Sequence, residues 1–231
     1  NYVFDPRAHL KRFFEEEGGQ YAFLVDEAHN LVDRAREMFS ADLYKSEILG
    51  VRRLVAKEQP SLGKLLGDIN KYLLGVGKKV EGEGDGSAWI GPKMPEDILP
   101  KLDKFLREAE RVLTRSAASS FFEELMELYF SILSFTRIAE LYDAHYTTYA
   151  EKQQKEVHLR LYNVDTSKNI RDALRRGTSA VFFSATLTPL DYFRQMLGGD
   201  EDDPMFSLDS PFPRENLRLL VADHIDTTNK K

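Results

Sequence analysis

The hydrophobic pattern of this chain changes its period twice, and that change limits the folds the chain can adopt. Short apolar runs of strand length lie near the two ends, at Tyr21 to Val25 and at Ala180 to Phe183. Between them, from about Ala41 to Tyr149, apolar residues recur at helical spacing instead. The pattern therefore predicts an α/β fold in which a partial parallel sheet carries a large all-α insertion.

Four helices are predicted within the insertion, and the last should be the longest, from about Ala117 to Tyr149. It is apolar around much of its circumference, which predicts a buried helix with the others packed around it. Between the second and third helices, the stretch from Gly75 to Gly91 is rich in glycine and charge. That composition predicts a mobile loop or a weak hairpin.

Shorter elements are predicted on both sides of the insertion. Amphipathic helices are expected from Ala8 to Glu17 and from Leu190 to Leu197, each ended by a pair of glycines. A strand is expected at Val157 to Tyr162, where the sheet that begins at Tyr21 should resume. A last strand is predicted from Leu217 to Ala222.

Composition excludes several classes of protein. The net charge of -6 argues against binding nucleic acid by bulk positive charge, so any such contact must be local. The chain has no cysteine, which excludes a disulfide framework and a thiolate metal site within these residues. No apolar run approaches the roughly 20 residues of a membrane span, and a cytoplasmic monomer is expected.

The first candidate site follows the first apolar run directly. Asp26 and Glu27 stand at what would be the carboxyl end of a strand buried in a parallel sheet, where α/β folds place ligands. Such acids can hold Mg²⁺ on the phosphates of ATP, and this role is expected for Asp26 together with Glu27. Glu27 is also expected to activate the attacking water. His29 is placed to respond to the γ-phosphate. The alternative is an ordinary helix start, where acids favour the helix dipole.

The second candidate segment comes directly after the other apolar run. Ser184, Ala185 and Thr186 provide hydroxyl groups where a second parallel strand would end. These hydroxyls could form hydrogen bonds with the acidic segment and transmit the state of the bound nucleotide to other parts of the protein. The three residues are therefore candidate coupling residues. The alternative is that Thr188, before Pro189, simply caps the next helix.

Together these residues carry a resemblance to a helicase family. The Asp-Glu-Ala-His segment at 26–29 and Ser-Ala-Thr at 184–186 look like motifs II and III of superfamily 2 helicases, and the helical insertion resembles the arch domain of the DinG/XPD iron-sulfur helicases. The flanks at 1–6 and 210–212 resemble bacterial DinG-type proteins. The resemblance implies a RecA-like motor domain 1 at 1–40 and 151–209, an arch-like insertion at 41–150, and a crossing toward motor domain 2 at 210–231.

The same family pattern contains parts that this sequence lacks. Around Gly77 and Lys78 the sequence departs from the Gly-x-x-x-x-Gly-Lys-Ser/Thr loop, because Tyr72 stands in place of the first glycine and Lys79 in place of Ser/Thr. The resemblance implies ATP, Mg²⁺, single-stranded DNA and, in a longer parent protein, a 4Fe-4S cluster with four cysteines. The fragment alone is therefore expected to be inactive.

Candidate DNA contacts lie in the first part of the insertion, where basic residues slightly outnumber acidic ones. They are basic residues of the predicted helices and one tryptophan: Arg52, Arg53, Lys57, Lys101, Lys104, Arg107, Arg111 and Trp89. Single-stranded DNA grooves combine such charge with aromatic platforms. The alternative is a solvated helix face with ion pairs such as Lys104 with Glu108, and a tryptophan that anchors the loop.

Two further functions stay open beside the helicase hypothesis. A non-enzymatic helical module that binds nucleic acid or protein, and keeps only a remnant of a motor, would explain the missing phosphate loop and the acidic balance. A metal-dependent nuclease would need clustered carboxylates, which the sequence does not provide.

Overall fold

The computed structural model describes residues 3–6, 21–83, 87–115, 119–216 and 218–221 of the chain. Within these ranges seven α-helices and six strands form an α/β structure with two sheets, which confirms the predicted fold class. The helices are α1 (Leu31–Met38), α2 (Lys45–Val55), α3 (Pro60–Glu83), α4 (Leu99–Arg115), α5 (Phe122–Glu140), α6 (Ser167–Leu174) and α7 (Leu190–Met196). The strands are β1 (Ala22–Val25), β2 (Ala41–Tyr44), β3 (Ala88–Gly91), β4 (Tyr146–Gln153), β5 (Glu156–Asn163) and β6 (Ser179–Phe182).

The first sheet is the parallel pair of β1 and β6, in register from Ala22 opposite Ser179 to Val25 opposite Phe182. Val25 and Phe182 pack against a small core beneath the pair. The other face is open among the described residues, with Leu24 at 73% exposure. The predicted burial on both faces is therefore not observed, because the described residues supply packing partners on one side only.

The second sheet is antiparallel, has the strand order β2-β5-β4-β3, and lies within and just after the predicted insertion. The prediction of an all-α insertion is therefore wrong. β5 pairs with β2 and β4, so the expectation that it resumes the first sheet is wrong as well. Alternation of apolar and polar residues along β5 is typical of an antiparallel strand with one covered face, not of a strand buried on both faces.

Two further boundaries in the insertion differ from the prediction. The last helix, α5, ends at Glu140 instead of continuing to Tyr149, because β-branched and aromatic residues at 146–149 favour the strand β4. The predicted loop from Gly75 to Gly91 is mostly helix, since α3 continues to Glu83. Gly77 allows this helix to approach the sheet closely, because an added Cβ would lie 2.9 Å from Val157 Cγ2.

Two hydrophobic cores hold the described residues. The larger lies between helices α2 to α5 and one face of the antiparallel sheet, and includes Phe105, Phe135 and Leu161, all fully buried. The smaller lies beneath the parallel pair and is formed by α1, α6 and the end of α7. Hydrogen bonds connect the two regions, for example from Asn163 N–H to Ser40 Oγ at 3.0 Å.

The remaining predictions concern the ends of the chain. The helix predicted at 190–197 is confirmed as α7. The helix predicted from Ala8 to Glu17 lies outside the described residues. Residues 218–221 form no strand, since no described segment lies alongside them to pair with, and the rest of that prediction lies outside the described part. No helix in the described ranges has the length and apolarity needed to cross a membrane.

Candidate functional site

The candidate site is built by the carboxyl ends of the two parallel strands. Because β1 and β6 run in the same direction, the segments that follow them leave the sheet at the same edge. Backbone hydrogen bonds continue past the strands: Phe183 N–H donates to Val25 O at 3.0 Å, and Ala28 N–H donates to Phe183 O at 3.2 Å. These two bonds hold the acidic segment against the Ser-Ala-Thr segment.

Ser184 is the centre of a side-chain cluster that joins the two segments. Its Oγ lies 2.7 Å from Nδ1 of His29, a residue 155 positions earlier, and 3.3 Å from Oε2 of Glu27. The same Glu27 oxygen lies 3.2 Å from His29 Nδ1. All three groups are satisfied when His29 Nδ1–H donates to Ser184 Oγ and the Ser184 hydroxyl donates to Glu27. A change at the carboxylate can therefore reach the second segment through one hydroxyl.

The second segment also bonds within itself. Thr186 N–H donates to Ser184 Oγ at 3.3 Å, and the Thr186 hydroxyl lies 3.4 Å from the same oxygen. Ala185 contributes no polar side-chain atom and is exposed. Ser184 is thus held from both sides, by the acidic segment and by the turn that leads toward α7.

Backbone conformation exposes the two carboxylates. Glu27 has a φ of 49° and a ψ of 41°, in the left-handed region that residues other than glycine seldom adopt. This sharp turn leaves Asp26 and Glu27 exposed while the next residue, Ala28, is fully buried in the small core. Asp26 Oδ1 accepts the Glu27 N–H at 2.7 Å, which braces the turn. Strain of this kind is typical of functional sites.

The donor set suits a hard cation that arrives with phosphate groups. The described residues contain no group of three or more His, Cys, Asp or Glu side chains that could hold a metal ion by themselves. Mg²⁺ commonly takes only one or two carboxylates from a protein and completes its shell with phosphate oxygens and water. The exposed carboxylates of Asp26 and Glu27 fit that requirement. With no cysteine in the chain, an iron-sulfur cluster has no thiolate ligand here.

Two of the predicted DNA contacts, Arg52 and Arg111, bind acceptors within the insertion. Arg52 Nε donates to the backbone oxygen of Gly63 at 3.2 Å and so links α2 to α3. Arg111 donates to both carboxylate oxygens of Glu108, at 2.6 and 3.0 Å. Glu108 therefore pairs with Arg111 and not with Lys104 as predicted. Both cations lie about one helical turn away, but the guanidinium offers two parallel donors to the carboxylate.

Trp89 lies on β3, half-buried against the larger core, where the anchoring interpretation fits better than an exposed platform. Lys79 Nζ lies 3.8 Å from the centre of its ring and occupies one face. Gly91 packs against the ring edge. A base could stack on the face that Lys79 covers only after Lys79 moved.

The other predicted cations lie at the surface, Arg53 on α2, Lys57 in the turn after α2 and Arg107 on α4. Arg53, Lys57 and Arg107 make no ion pair with another described residue. Lys101 and Lys104 line a groove between α3 and α4. Sequence reasoning missed the role of the Phe183 backbone in joining the two motifs, since no side-chain pattern reveals which strands are neighbours.

Comparison with known proteins adds one distant relative. No protein-family model matches the chain. The chain is similar to the ATP-dependent DNA helicase CHL1 of Coccidioides immitis (strain RS), with 24% identity over 241 residues. The match covers 90% of this chain and 26% of that protein, so the chain spans about a quarter of the relative's length. This similarity supports a relation to ATP-dependent DNA helicases and gives no support to the narrower bacterial DinG-type assignment.

Proposed function

We propose that this chain is part of an ATP-dependent DNA helicase and carries its ATP-hydrolysis and coupling segments. The carrying observation is the contact of His29 Nδ1 with Ser184 Oγ at 2.7 Å, beside Glu27, at the shared end of two parallel strands. The similarity to the ATP-dependent DNA helicase CHL1 supports the same function. An accidental helix start would not require two distant segments to meet through three polar side chains.

The proposed division of labour follows from the positions of the oxygens. Asp26 holds the Mg²⁺ that accompanies ATP, and that ion, when bound, neutralises charge on the phosphates. Glu27 orients the attacking water and accepts its proton. Its Oε2 is held by Ser184 and His29, which leaves Oε1 for the water. Loss of the γ-phosphate then alters the hydrogen bonds of His29, and Ser184 and Thr186 transmit that change along the second segment.

The finer assignment is to the iron-sulfur helicases of the DinG/XPD type. In that reading residues 1–40 and 151–209 belong to motor domain 1, 41–150 form the arch-like insertion, and 210–231 lead toward motor domain 2. A longer parent protein supplies the phosphate-binding loop, the cysteines of a 4Fe-4S cluster and the second motor domain. Single-stranded DNA is the proposed track, and the chain alone does not hydrolyse ATP.

The decisive experiment is Glu27→Gln in the full-length protein that contains this chain. We expect DNA-stimulated ATP hydrolysis to fall by about 10²- to 10⁴-fold, the usual contribution of a general base, while nucleotide binding is kept. Asp33→Asn, an exposed carboxylate on α1 that pairs with Arg36, is the matched control and should leave hydrolysis unchanged. Full hydrolysis by the Glu27 variant would reject the proposal.

One alternative has its own support. Most of the buried core lies in the insertion, so the chain could act as a folded helical module that binds nucleic acid or protein without catalysis. Such a protein would tolerate Glu27→Gln in every assay and would still bind its partner. The same variant therefore separates the two functions.

A further inference from the structure

A groove of about 520 Å³ lies between α3 and α4, away from the candidate site. Seven residues of the two helices line it: Leu65, Asp68, Lys71, Tyr72, Pro100, Lys101 and Lys104. One helical turn before Leu65, the Ser61 hydroxyl donates to Glu108 at 2.6 Å and links the two helices. The volume lies within the range of about 300 to 1,000 Å³ that ligand sites occupy. The groove is thus a formed feature of the insertion.

The groove carries uncompensated positive charge. The ammonium groups of Lys71 and Lys104 make no ion pair or hydrogen bond with any other residue that the structure describes. Lys101 donates only to the backbone oxygen of Asp97, at 2.8 Å, so its charge is not neutralised by a carboxylate. Among the lining residues, three cations therefore accompany one acid, Asp68. Asp97, outside the lining, is near enough to contribute, after burial, to the raised pKa of Tyr72.

Some other surface cations are paired with acids, whereas Arg53 and Arg107 are, like the groove lysines, unpaired among the described residues. Arg111, Arg175 and Arg194 each pair with an acid three residues earlier on their own helix. Lys168 pairs with Asp143 from a different element. What distinguishes the groove is that three lysines without a carboxylate partner line one concave surface together with a single acid, which favours an anion there.

Tyr72 adds an aromatic surface beside the lysines. It is half-buried and packs against the larger core, and Lys101 Nζ lies 5.7 Å from the centre of its ring. Burial raises the pKa of the Tyr72 phenol above its usual value, so the hydroxyl stays a neutral hydrogen-bond donor. Basic side chains interleaved with a fixed aromatic ring are the combination that single-stranded nucleic acids require.

We propose that the α3–α4 groove binds the phosphodiester backbone of a single-stranded nucleic acid. Lys71, Lys101 and Lys104 contact phosphates, and Tyr72 contacts a base or sugar. Asp68 disfavours a phosphate at its own position and accepts hydrogen bonds from base amino groups. The choice of nucleic acid as the anion rests on the proposed function, whereas the groove and its charge do not.

The test measures binding of a fluorescently labelled oligothymidylate, about a dozen nucleotides long, to the full 231-residue chain without ATP. The triple variant Lys71→Gln, Lys101→Gln, Lys104→Gln should bind at least about tenfold more weakly at low salt. The slope of log affinity against log salt concentration should be shallower by about 2, because each of the three lost phosphate contacts contributes about 0.7 to that slope. Glutamine keeps the helix propensity of lysine, and circular dichroism verifies folding.

The matched control removes three exposed lysines outside the groove: Lys78→Gln, Lys93→Gln and Lys155→Gln. Its affinity should stay within about twofold of the unaltered chain. Equal weakening in both triple variants would show bulk electrostatics and overturn the proposal, as would failure of the unaltered chain to bind the oligonucleotide. Groove-dependent binding of polyglutamate with equal affinity would also overturn it, in favour of an acidic protein partner.

A second variant probes the aromatic contact by itself. Tyr72→Leu should weaken oligonucleotide binding at least about fivefold and leave the salt dependence unchanged, because stacking involves no counterion. An unchanged affinity would remove Tyr72 from the proposal. Since no step uses ATP, Glu27→Gln should bind the oligonucleotide normally, so failure of the groove and failure of the hydrolysis site are told apart.

Discussion

The open faces of the two sheets differ in chemistry. The uncovered face of the antiparallel sheet carries polar and aromatic side chains that bond one another: His158 Nε2 lies 2.6 Å from Asp42 Oδ1, and its ring stacks on Tyr44 with centres 4.4 Å apart. The uncovered face of the parallel pair shows Leu24 and Val181 to solvent. The face of the antiparallel sheet is suited to solvent, whereas the face of the parallel pair is of the kind that parallel sheets normally bury. The candidate site lies on the less completely packed sheet.

This contrast predicts that stability comes mainly from the insertion. Phe135→Ala, at a fully buried position on α5, should lower the free energy of unfolding by about 3 to 5 kcal/mol in urea denaturation. Phe130→Ala on the same helix, at 58% exposure, should cost less than about 1 kcal/mol. Similar losses for the two variants would contradict the placement of the main core between these helices and the antiparallel sheet.

The close approach of α3 to the antiparallel sheet gives a second prediction, in which two glycines have opposite effects. Gly77→Ala should lower the free energy of unfolding by about 1 to 3 kcal/mol, because the new Cβ meets the buried Val157. Gly75→Ala has open space around the Cβ and should raise it by about 0.5 to 1 kcal/mol through helix propensity. Stabilisation by both would mean that the helix does not press on the sheet at Gly77.

The parts predicted correctly from sequence are those with a local signal. An apolar run followed by acids predicted β1 and the turn at Asp26, and the second run predicted β6 and Ser184. The strand β4 was missed because Tyr142, Tyr146 and Tyr149 also recur at helical spacing, and short segments do not separate the two periods. Its pairing with β5, and that of β5 with β2, depends on contacts between distant segments that no local pattern contains.

The same limit applied to the charged residues. Sequence spacing offered Glu108 as a partner for Lys104, but the structure gives it to Arg111 and Ser61. The free lysines at 71 and 104 become informative only once the two helices are seen to face each other. Which cations are neutralised is a property of the packed structure, since it depends on neighbours that several residues compete for.

A third prediction concerns the contact of Asp143 with Lys168, which connects the segment after α5 to α6. Asp143, after α5, accepts hydrogen bonds from Lys168 on α6 and from the backbone and ring of His145. Partial burial alone would raise the pKa of Asp143, but these bonds outweigh it and lower the pKa to about 2. A carboxyl with a depressed folded-state pKa adds stability above its unfolded value, near 3.8, and that stability is lost as the pH falls through about 2.

The expected contribution is on the order of 1 kcal/mol, because the pair is partly exposed and screened by solvent. The free energy of unfolding should therefore decline between about pH 4 and pH 2, and Asp143→Asn should reduce that decline. Lys168→Gln should reduce it in part, since the bonds from His145 are kept. A decline of the same size in Asp143→Asn would assign it to other carboxyl groups.

The smallest effect is expected on the open face of the parallel pair. Leu24→Thr keeps the preference for a strand and replaces a side chain that is already 73% exposed, so the free energy of unfolding should change by less than about 0.5 kcal/mol. Phe23→Leu, one residue earlier and directed to the covered face, should cost about 1 kcal/mol or more, because Phe23 is only 7% exposed. A loss above about 1 kcal/mol for Leu24→Thr would mean that this face is covered in solution, and the contrast between the two sheets would then disappear.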